Sequence, residues 1–198
     1  HLVRTYVEKF QLDSSQQVLD PFCGTGTTLV ECSRQGIPSI GVEANPVAAF
    51  ASRVKIDWSP DPDALAQHAK LIAASALDRL RLDGVHDIPM ALFGDDGRGS
   101  AHLRTLPPET FALLLANSIS PLPLHKALVL LEAMAQHHDA RFYAHERLAF
   151  ADAVVQKASN LHFGPEVGVG KPKQDEAVVD PWLASVRNIA MDLREVSD

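Results

Sequence analysis

The sequence is short of nearly every feature that would place it in a special class. It holds only two cysteines, Cys23 and Cys32, nine positions apart. Two thiols build no disulfide framework, and their spacing fits no metal motif. A reducing, cytoplasmic compartment is the expectation. Positive charge is in deficit, with a net charge of −7 and a pI near 5.7. The chain as a whole therefore lacks the basic footprint of a nucleic-acid binder, although a local basic face stays compatible with that balance. No apolar run is long enough to span a membrane, and no charged-then-apolar leader is present in these residues. No membrane partner is expected. Repeats and low-complexity tracts are missing too. His137-His138-Asp139, with His145 and Glu146 close by, has no metal-ligand spacing and no cysteine to join it. It reads as a polar turn between helices, and no metal is expected.

What is present suffices for a core. The chain has 198 residues, 46% of them hydrophobic, which suits one domain or one and a half. It opens on His1 rather than Met, so a longer parent chain is expected.

The most informative stretch is Gln17 to Pro46, QVLDPFCGTGTTLVECSRQGIPSIGVEANP. Val18 and Leu19 are strand-like and run into Asp20-Pro21-Phe22. Cys23-Gly24-Thr25-Gly26-Thr27-Thr28 is a tight turn of small residues. Leu29 to Gln35 suits a helix, and Gly36 suits the position just past its end. Ser39 to Val42 is a second strand, and Glu43 follows the Gly24 turn by nineteen residues. That order is half of a βαβ nucleotide-binding unit. A glycine turn admits a ligand to the backbone, a helix N-terminus favours an anion, and a strand-end carboxylate accepts ribose hydroxyls. The dinucleotide fingerprint is incomplete, because Leu29 stands where its third glycine belongs.

Asp-Pro-Phe-Cys-Gly-Thr-Gly-Thr-Thr, followed by Gly41-Val42-Glu43-Ala44-Asn45-Pro46, resembles the cofactor-binding motifs of class I S-adenosylmethionine-dependent methyltransferases. More narrowly, it resembles those that methylate exocyclic amino groups of cytosine or adenine in DNA. The likeness covers about thirty residues and is looser elsewhere. It implies an α/β fold, here a partial Rossmann-like class I methyltransferase sheet with a large helical insertion. It implies S-adenosylmethionine as cofactor, DNA as partner, and a restriction-modification setting. The cofactor-binding residues it implies are Asp20, Pro21, Phe22, Cys23, Gly24, Thr25, Gly26, Thr27, Glu43, Ala44 and Asn45. Cys23 is a wall of the pocket rather than a nucleophile, since no base is placed beside it. The helix just before the Asp-Pro-Phe strand is implied to help close that pocket.

One motif of the family is missing. Amino-methyltransferases carry a Pro-Pro-aromatic motif preceded by Asp, Asn or Ser. Thr105-Leu106-Pro107-Pro108-Glu109 has the prolines without the ring. Ser120-Pro121-Leu122-Pro123 lacks adjacent prolines, and Asp180-Pro181-Trp182 lacks one. No catalytic residue can be named, and the catalytic segment is expected beyond Asp198. Residues 1–60 are then the cofactor-binding part and 61–198 the insertion. Two other readings stay open. One is an RNA (tRNA) amino-methyltransferase, because some share the Asp-Pro-Phe-Cys-Gly run. The other is a non-catalytic S-adenosylmethionine-binding subunit completed by a second polypeptide.

Periodicity sets the remaining expectations. Val3, Tyr6, Val7 and Phe10 line a first helix. Asn45-Pro46 starts a helix to about Lys55. Asp61 caps a long helix with Leu65, Ala69, Ile72, Ala76 and Leu80 on one face. Gly84 to Arg104 reads as a loop and Glu109 to Asn117 as a short helix. Leu124, Ala127, Leu128, Leu131, Met134 and Ala135 stripe the next helix, with Val129 and Leu130 beside them. Ala144, Leu148, Ala151, Val155 and Ala158 stripe another. Leu161 to Val179 reads as a loop; its Gly170-Lys171-Pro172 fails as a phosphate loop, and its aromatic, histidine and lysines suit a DNA contact or a rigid connector. Asp180-Pro181 caps a last helix carrying Trp182, Val186, Ile189 and Leu193.

Overall fold

Capping residues place the first helices of the computed structural model, which describes residues 2–88 and 102–197. The Asn45 side chain accepts the Val47 and Ala48 N–H groups at 2.9 and 3.2 Å, and Pro46 takes the first helical position. The Asp61 carboxylate accepts the Ala64 N–H at 2.7 Å, with Pro62 next. In each case an orphan donor of the first turn is satisfied where proline has none to lose. The chain divides into two compact units, His1–Pro60 with Leu193–Asp198, and Asp61–Asp192.

In the first unit, α1 (Leu2–Lys9) precedes β1 (Val18–Asp20), α2 (Thr27–Arg34), β2 (Ser39–Gly41) and α3 (Pro46–Lys55). β1 and β2 pair in parallel, with Val18 opposite Ser39, Leu19 opposite Ile40 and Asp20 opposite Gly41. Side chains alternate across this pair. Val18 joins a core of Val7, Cys32 and Ile37 with Val3 and Leu12. Leu19, Ile40 and Val42 lie on the other face and are 63%, 48% and 54% exposed. Parallel sheets are ordinarily covered on both sides. This one is covered on one, and among the described residues it has two strands. The architecture is α/β. The α1 stripe splits: Val7 is buried, whereas Tyr6 and Phe10 are exposed and stack on each other at 6.0 Å.

The second unit starts with α4 (Pro62–Leu82), whose five expected core residues are all buried. The expected loop from Gly84 to Arg104 lies partly outside the described residues, at 89–101. Its start is fixed, because buried Asp87 accepts the Val178 and Val179 N–H groups, each at 2.8 Å, and that of Asp180 at 3.2 Å. Asp87, not Asp180, thus caps α8 (Val179–Ser197). Glu109–Asn117 is not a helix throughout: α5 (Pro108–Phe111) is a single turn, followed by exposed Leu113 and Leu115. A short helix without a packed face has little to hold it.

α6 (Pro121–Gln136) buries Leu124, Ala127 and Met134 of the expected stripe and is buried on more than one side. Leu131 and Ala135 are exposed, whereas His125, Lys126, Val129, Leu130 and Ala133 are buried. α7 (Tyr143–Ala153) buries His145, Glu146, Ala149 and Ala153 rather than the Ala144 and Leu148 stripe. A π-turn over Val154–Ala158 adds a residue to the last turn and shifts the register. The polar-turn reading fails for His145 and Glu146, because both lie buried within α7. The expected loop after Leu161 contains an antiparallel hairpin of β3 (Leu161–Phe163) and β4 (Val167–Val169). No helix among the described residues is long and apolar enough to cross a membrane.

Buried Asn160 ties this region together. Its amide donates to the Asn117 carbonyl at 2.9 Å and to Ser120 Oγ at 3.1 Å, and its Oδ1 accepts the Lys173 N–H at 2.8 Å. Asn160→Ala removes all three bonds and strands the buried Ser120 hydroxyl. The expected loss is about 2–4 kcal/mol in urea unfolding of the whole chain.

Candidate functional site

All eleven residues named from the sequence sit where β1 and β2 end. The two strands are parallel, so their C-terminal ends lie side by side, and the loops leaving them meet. This is where ligands bind in open α/β sheets. The geometry is carried by Glu43. Its Oε2 accepts the Gly24 N–H at 2.9 Å and its Oε1 accepts the Asn45 N–H at 2.7 Å. One carboxylate thus fastens the glycine turn after β1 to the turn after β2. Cys23 N–H donates to the Val42 carbonyl at 3.0 Å, and Val42 N–H to the Asp20 carbonyl at 2.9 Å. These bonds carry the strand pairing into the loops. Asp20 turns its Oδ1 back to the Phe22 N–H at 3.1 Å.

The glycine turn has two conformational requirements. Gly24 has φ +54° and Gly26 φ +88°, in the left-handed region that suits glycine. A Cβ on Gly24 would meet nothing within 4 Å. A Cβ on Gly26 would lie 2.7 Å from Ser52 Cβ and 2.9 Å from Ser52 Cα on α3. Gly24 therefore faces open space, and Gly26 lets a helix close in. Gly26→Ala should lower the unfolding free energy by about 3 kcal/mol or more, from overpacking plus an unfavourable φ. A circular-dichroism unfolding transition with an unchanged midpoint would refute it.

Gly26 caps α2 without any side-chain bond to the first turn. The leading N–H groups of α2 are left to an outside acceptor, at the positive end of the helix. Phe22 is 89% exposed at the rim, and Thr25 and Thr27 are exposed beside it. Pro21, Ala44 and Asn45 are exposed as well. Cys23 points the other way. It is buried, and a Cβ on Gly41 would lie 2.8 Å from its Sγ and 2.7 Å from Leu29 Cδ1. It packs under the turn, which leaves it badly placed as a nucleophile.

Sequence reasoning passed over three groups in the second unit. Glu146, fully buried, holds His68 Nδ1 at 2.6 Å. Lys126, also fully buried, lies 2.6 Å from Asp175 Oδ1 and donates to the Glu176 carbonyl at 3.1 Å. Buried His125 accepts the Arg104 backbone N–H at 3.0 Å, and desolvation holds its pKa below the usual imidazole value. Arg104 also pairs with Glu132. The only hint in the sequence was charged residues inside apolar helical segments. Among the described residues, no group of three or more metal-ligating side chains comes together.

Comparison with known proteins bears on the first unit alone. A family model described as DNA methylase matches residues 1–51. The type II methyltransferase M.MjaII of Methanocaldococcus jannaschii is 39% identical over 51 residues, which are 26% of this chain and 10% of that protein. The type II methyltransferase M.BsoBI of Geobacillus stearothermophilus is 39% identical over 54 residues, 27% of this chain and 11% of that protein. The chain thus spans about a tenth of the length of these curated relatives. No solved structure matches it. The matched stretch holds every residue of the Glu43-fastened loops, so over residues 1–51 the chain is similar to DNA methylases.

Proposed function

We propose that residues 1–60 bind S-adenosylmethionine and form the cofactor part of a partial Rossmann-like class I domain. That domain methylates an exocyclic amino group of a DNA base. Residues 61–198 are then the mainly helical insertion. The observation that carries this reading is Glu43 bridging Gly24 and Asn45 at the ends of two parallel strands. When bound, S-adenosylmethionine supplies a methyl group already activated on a sulfonium. The protein's work is then positioning and exclusion of water.

The residues fit that work. Each Glu43 oxygen accepts one backbone N–H and keeps a lone pair for a ribose hydroxyl. The Ala44 and Asn45 backbone would line the adenine side. Asp20 commits Oδ1 to Phe22 N–H and offers its other oxygen to the methionine ammonium. The uncapped start of α2 at Thr27 would take the methionine carboxylate. Gly24 leaves the space in front of the turn open, and Phe22, exposed at the rim, supplies an apolar lip.

The uncovered face of the β1–β2 pair supports completion by further polypeptide, which would also bring the Pro-Pro-aromatic segment. On this reading the 198-residue chain binds the cofactor but transfers no methyl group alone. Isothermal titration calorimetry should show S-adenosylmethionine or its demethylated product binding. Incubation with tritiated S-adenosylmethionine and unmethylated plasmid should leave the DNA unlabelled. Absence of binding would overturn the site, and labelled DNA would show that a catalytic segment lies within the chain.

A further inference from the structure

The hairpin of β3 and β4 is not used by the cofactor reading. It is an isolated two-stranded ribbon; its strands pair with each other and with no third strand among the described residues. Leu161 pairs with Val169 and Phe163 with Val167, so all four side chains share one face. That face is apolar and open: Phe163 is 50% exposed, Val167 59% and Val169 38%. An isolated hairpin with a bare apolar face is marginal in water. This one is held at its root by Asn160, whose carbonyl accepts the Gly170 N–H at 2.7 Å and whose Oδ1 takes Lys173 N–H. The ribbon projects from a rigid, buried anchor.

Charge decides what such a ribbon suits. The chain carries a net charge of −7. From Lys157 to Lys173 the balance reverses, with three lysines and His162 against a single carboxylate, Glu166. Lys157 and Lys171, at the root of the hairpin, are exposed. Lys173 is partly occupied, because its Nζ donates to the Lys157 carbonyl. A locally cationic root beneath an apolar, aromatic-bearing ribbon is unsuited to an acidic protein's own surface. It complements a polyanion that also offers apolar edges. Duplex DNA does so: phosphates flank its groove, thymine methyls line it, and the major groove is wide enough to admit a two-stranded ribbon.

We propose that the Leu161–Val169 hairpin is a contact element for duplex DNA, with Lys157 and Lys171 on phosphates and Phe163 reaching the groove. The proposal rests on DNA being the methyl acceptor and assigns the surface that holds it. Phosphate contacts release counterions and groove contacts do not, so the two kinds of residue separate by salt dependence.

The test is fluorescence anisotropy of a labelled duplex against the full chain over a series of salt concentrations. Lys157→Ala with Lys171→Ala should reduce the slope of log K against log salt by about 2. It should weaken binding roughly equally for all sequences. Phe163→Ala should weaken binding roughly 5-fold or more with the slope unchanged. All three positions are exposed, and an unchanged melting curve confirms that each variant folds. Duplex binding by wild type that none of the variants alters would overturn the hairpin assignment and leave the cofactor site standing. So would a wild-type chain that binds S-adenosylmethionine but no duplex at low salt. Slopes unchanged in the lysine pair, with duplex binding weakened only in Phe163→Ala, would overturn the placing of Lys157 and Lys171 on phosphates.

Discussion

Glu43→Ala should weaken S-adenosylmethionine binding by about 100-fold or more, because one carboxylate does two jobs there. It accepts two backbone N–H groups, at 2.9 and 2.7 Å, and so sets the distance between the turns that would flank the ligand. In the proposed complex it also accepts the ribose hydroxyls. Hydrogen bonds to a charged group contribute about 1.5–3 kcal/mol each, and losing two accounts for the factor. Glu43→Gln keeps the shape and one acceptor oxygen, so a loss of roughly 10-fold is expected. Gly24→Val is the companion variant. Valine at φ +54° is strained by about 1–2 kcal/mol, but nothing lies within 4 Å of its Cβ, so the unit should still fold. The side chain would instead fill the space the ligand needs, and binding should vanish. Gly26→Ala inverts the pattern, since its Cβ meets Ser52 whether ligand is present or not. Calorimetry together with thermal melts on these four variants separates a ligand site from an ordinary strand-to-helix turn. Unaltered binding in both Glu43→Ala and Gly24→Val would sink the assignment.

These residues were legible because the determinants are local. Asn45 caps the helix it begins, and so does Asp61. Glu43 reaches across only nineteen positions to Gly24, over a strand–helix–strand unit whose geometry is fixed by type. The second unit was less legible because its ties are distant and polar. Asp87 caps α8 from 91 to 93 positions away, and no local signal marks it. The Asp180-Pro181 pair looked like the cap, but Asp180 N–H donates to Asp87 instead. Glu146 reads as part of a polar turn and Lys126 carries no sequence signal, although burial with a partner is the other arrangement a charge accepts. The π-turn after α7 sets buried Ala153 and Ala158 five positions apart, a spacing no 3.6-residue template anticipates. The β3–β4 strands are three residues each, too short to show a period of two. Even in the first unit, alternation showed which residues share a face but not whether that face is covered. Leu19 and Ile40 read as strand residues and prove to lie on an open face.

His68→Ala should be the most damaging single change in the Asp61–Asp192 unit, at about 3–5 kcal/mol at pH 7. Glu146 is fully buried on α7, and its Oε1 is held by His68 Nδ1 of α4 at 2.6 Å. Its Oε2 has no hydrogen-bond partner. Its backbone carbonyl accepts Trp182 Nε1 of α8 at 3.0 Å, so the carboxylate sits where three helices meet. Removing His68 leaves a buried charge with neither oxygen bound. Leucine at both positions should restore most of the loss, because an apolar pair has no charge to desolvate. In a Trp58→Phe background, Trp182 fluorescence reports unfolding of this unit directly. Burial raises the Glu146 carboxyl above its ordinary 4.5, and the His68 bond only partly opposes the rise. Asp139 nearby, held down to about 2 by Arg141, adds to the rise, and His138 opposes it. A raised folded pKa means the native state binds the proton more tightly than the unfolded chain does. That contribution is whole below about 4.5 and is lost as pH climbs through the folded value. Asp87 titrates with the same sign and His125 with the opposite one, so the Glu146 contribution is read as a difference. Wild type should gain stability relative to Glu146→Gln as pH falls from 7 toward 4.5. A constant gap between the two across that range would show that Glu146 does not titrate on folding. A His68→Ala loss under about 1 kcal/mol would show that the pair does not hold α4 to α7.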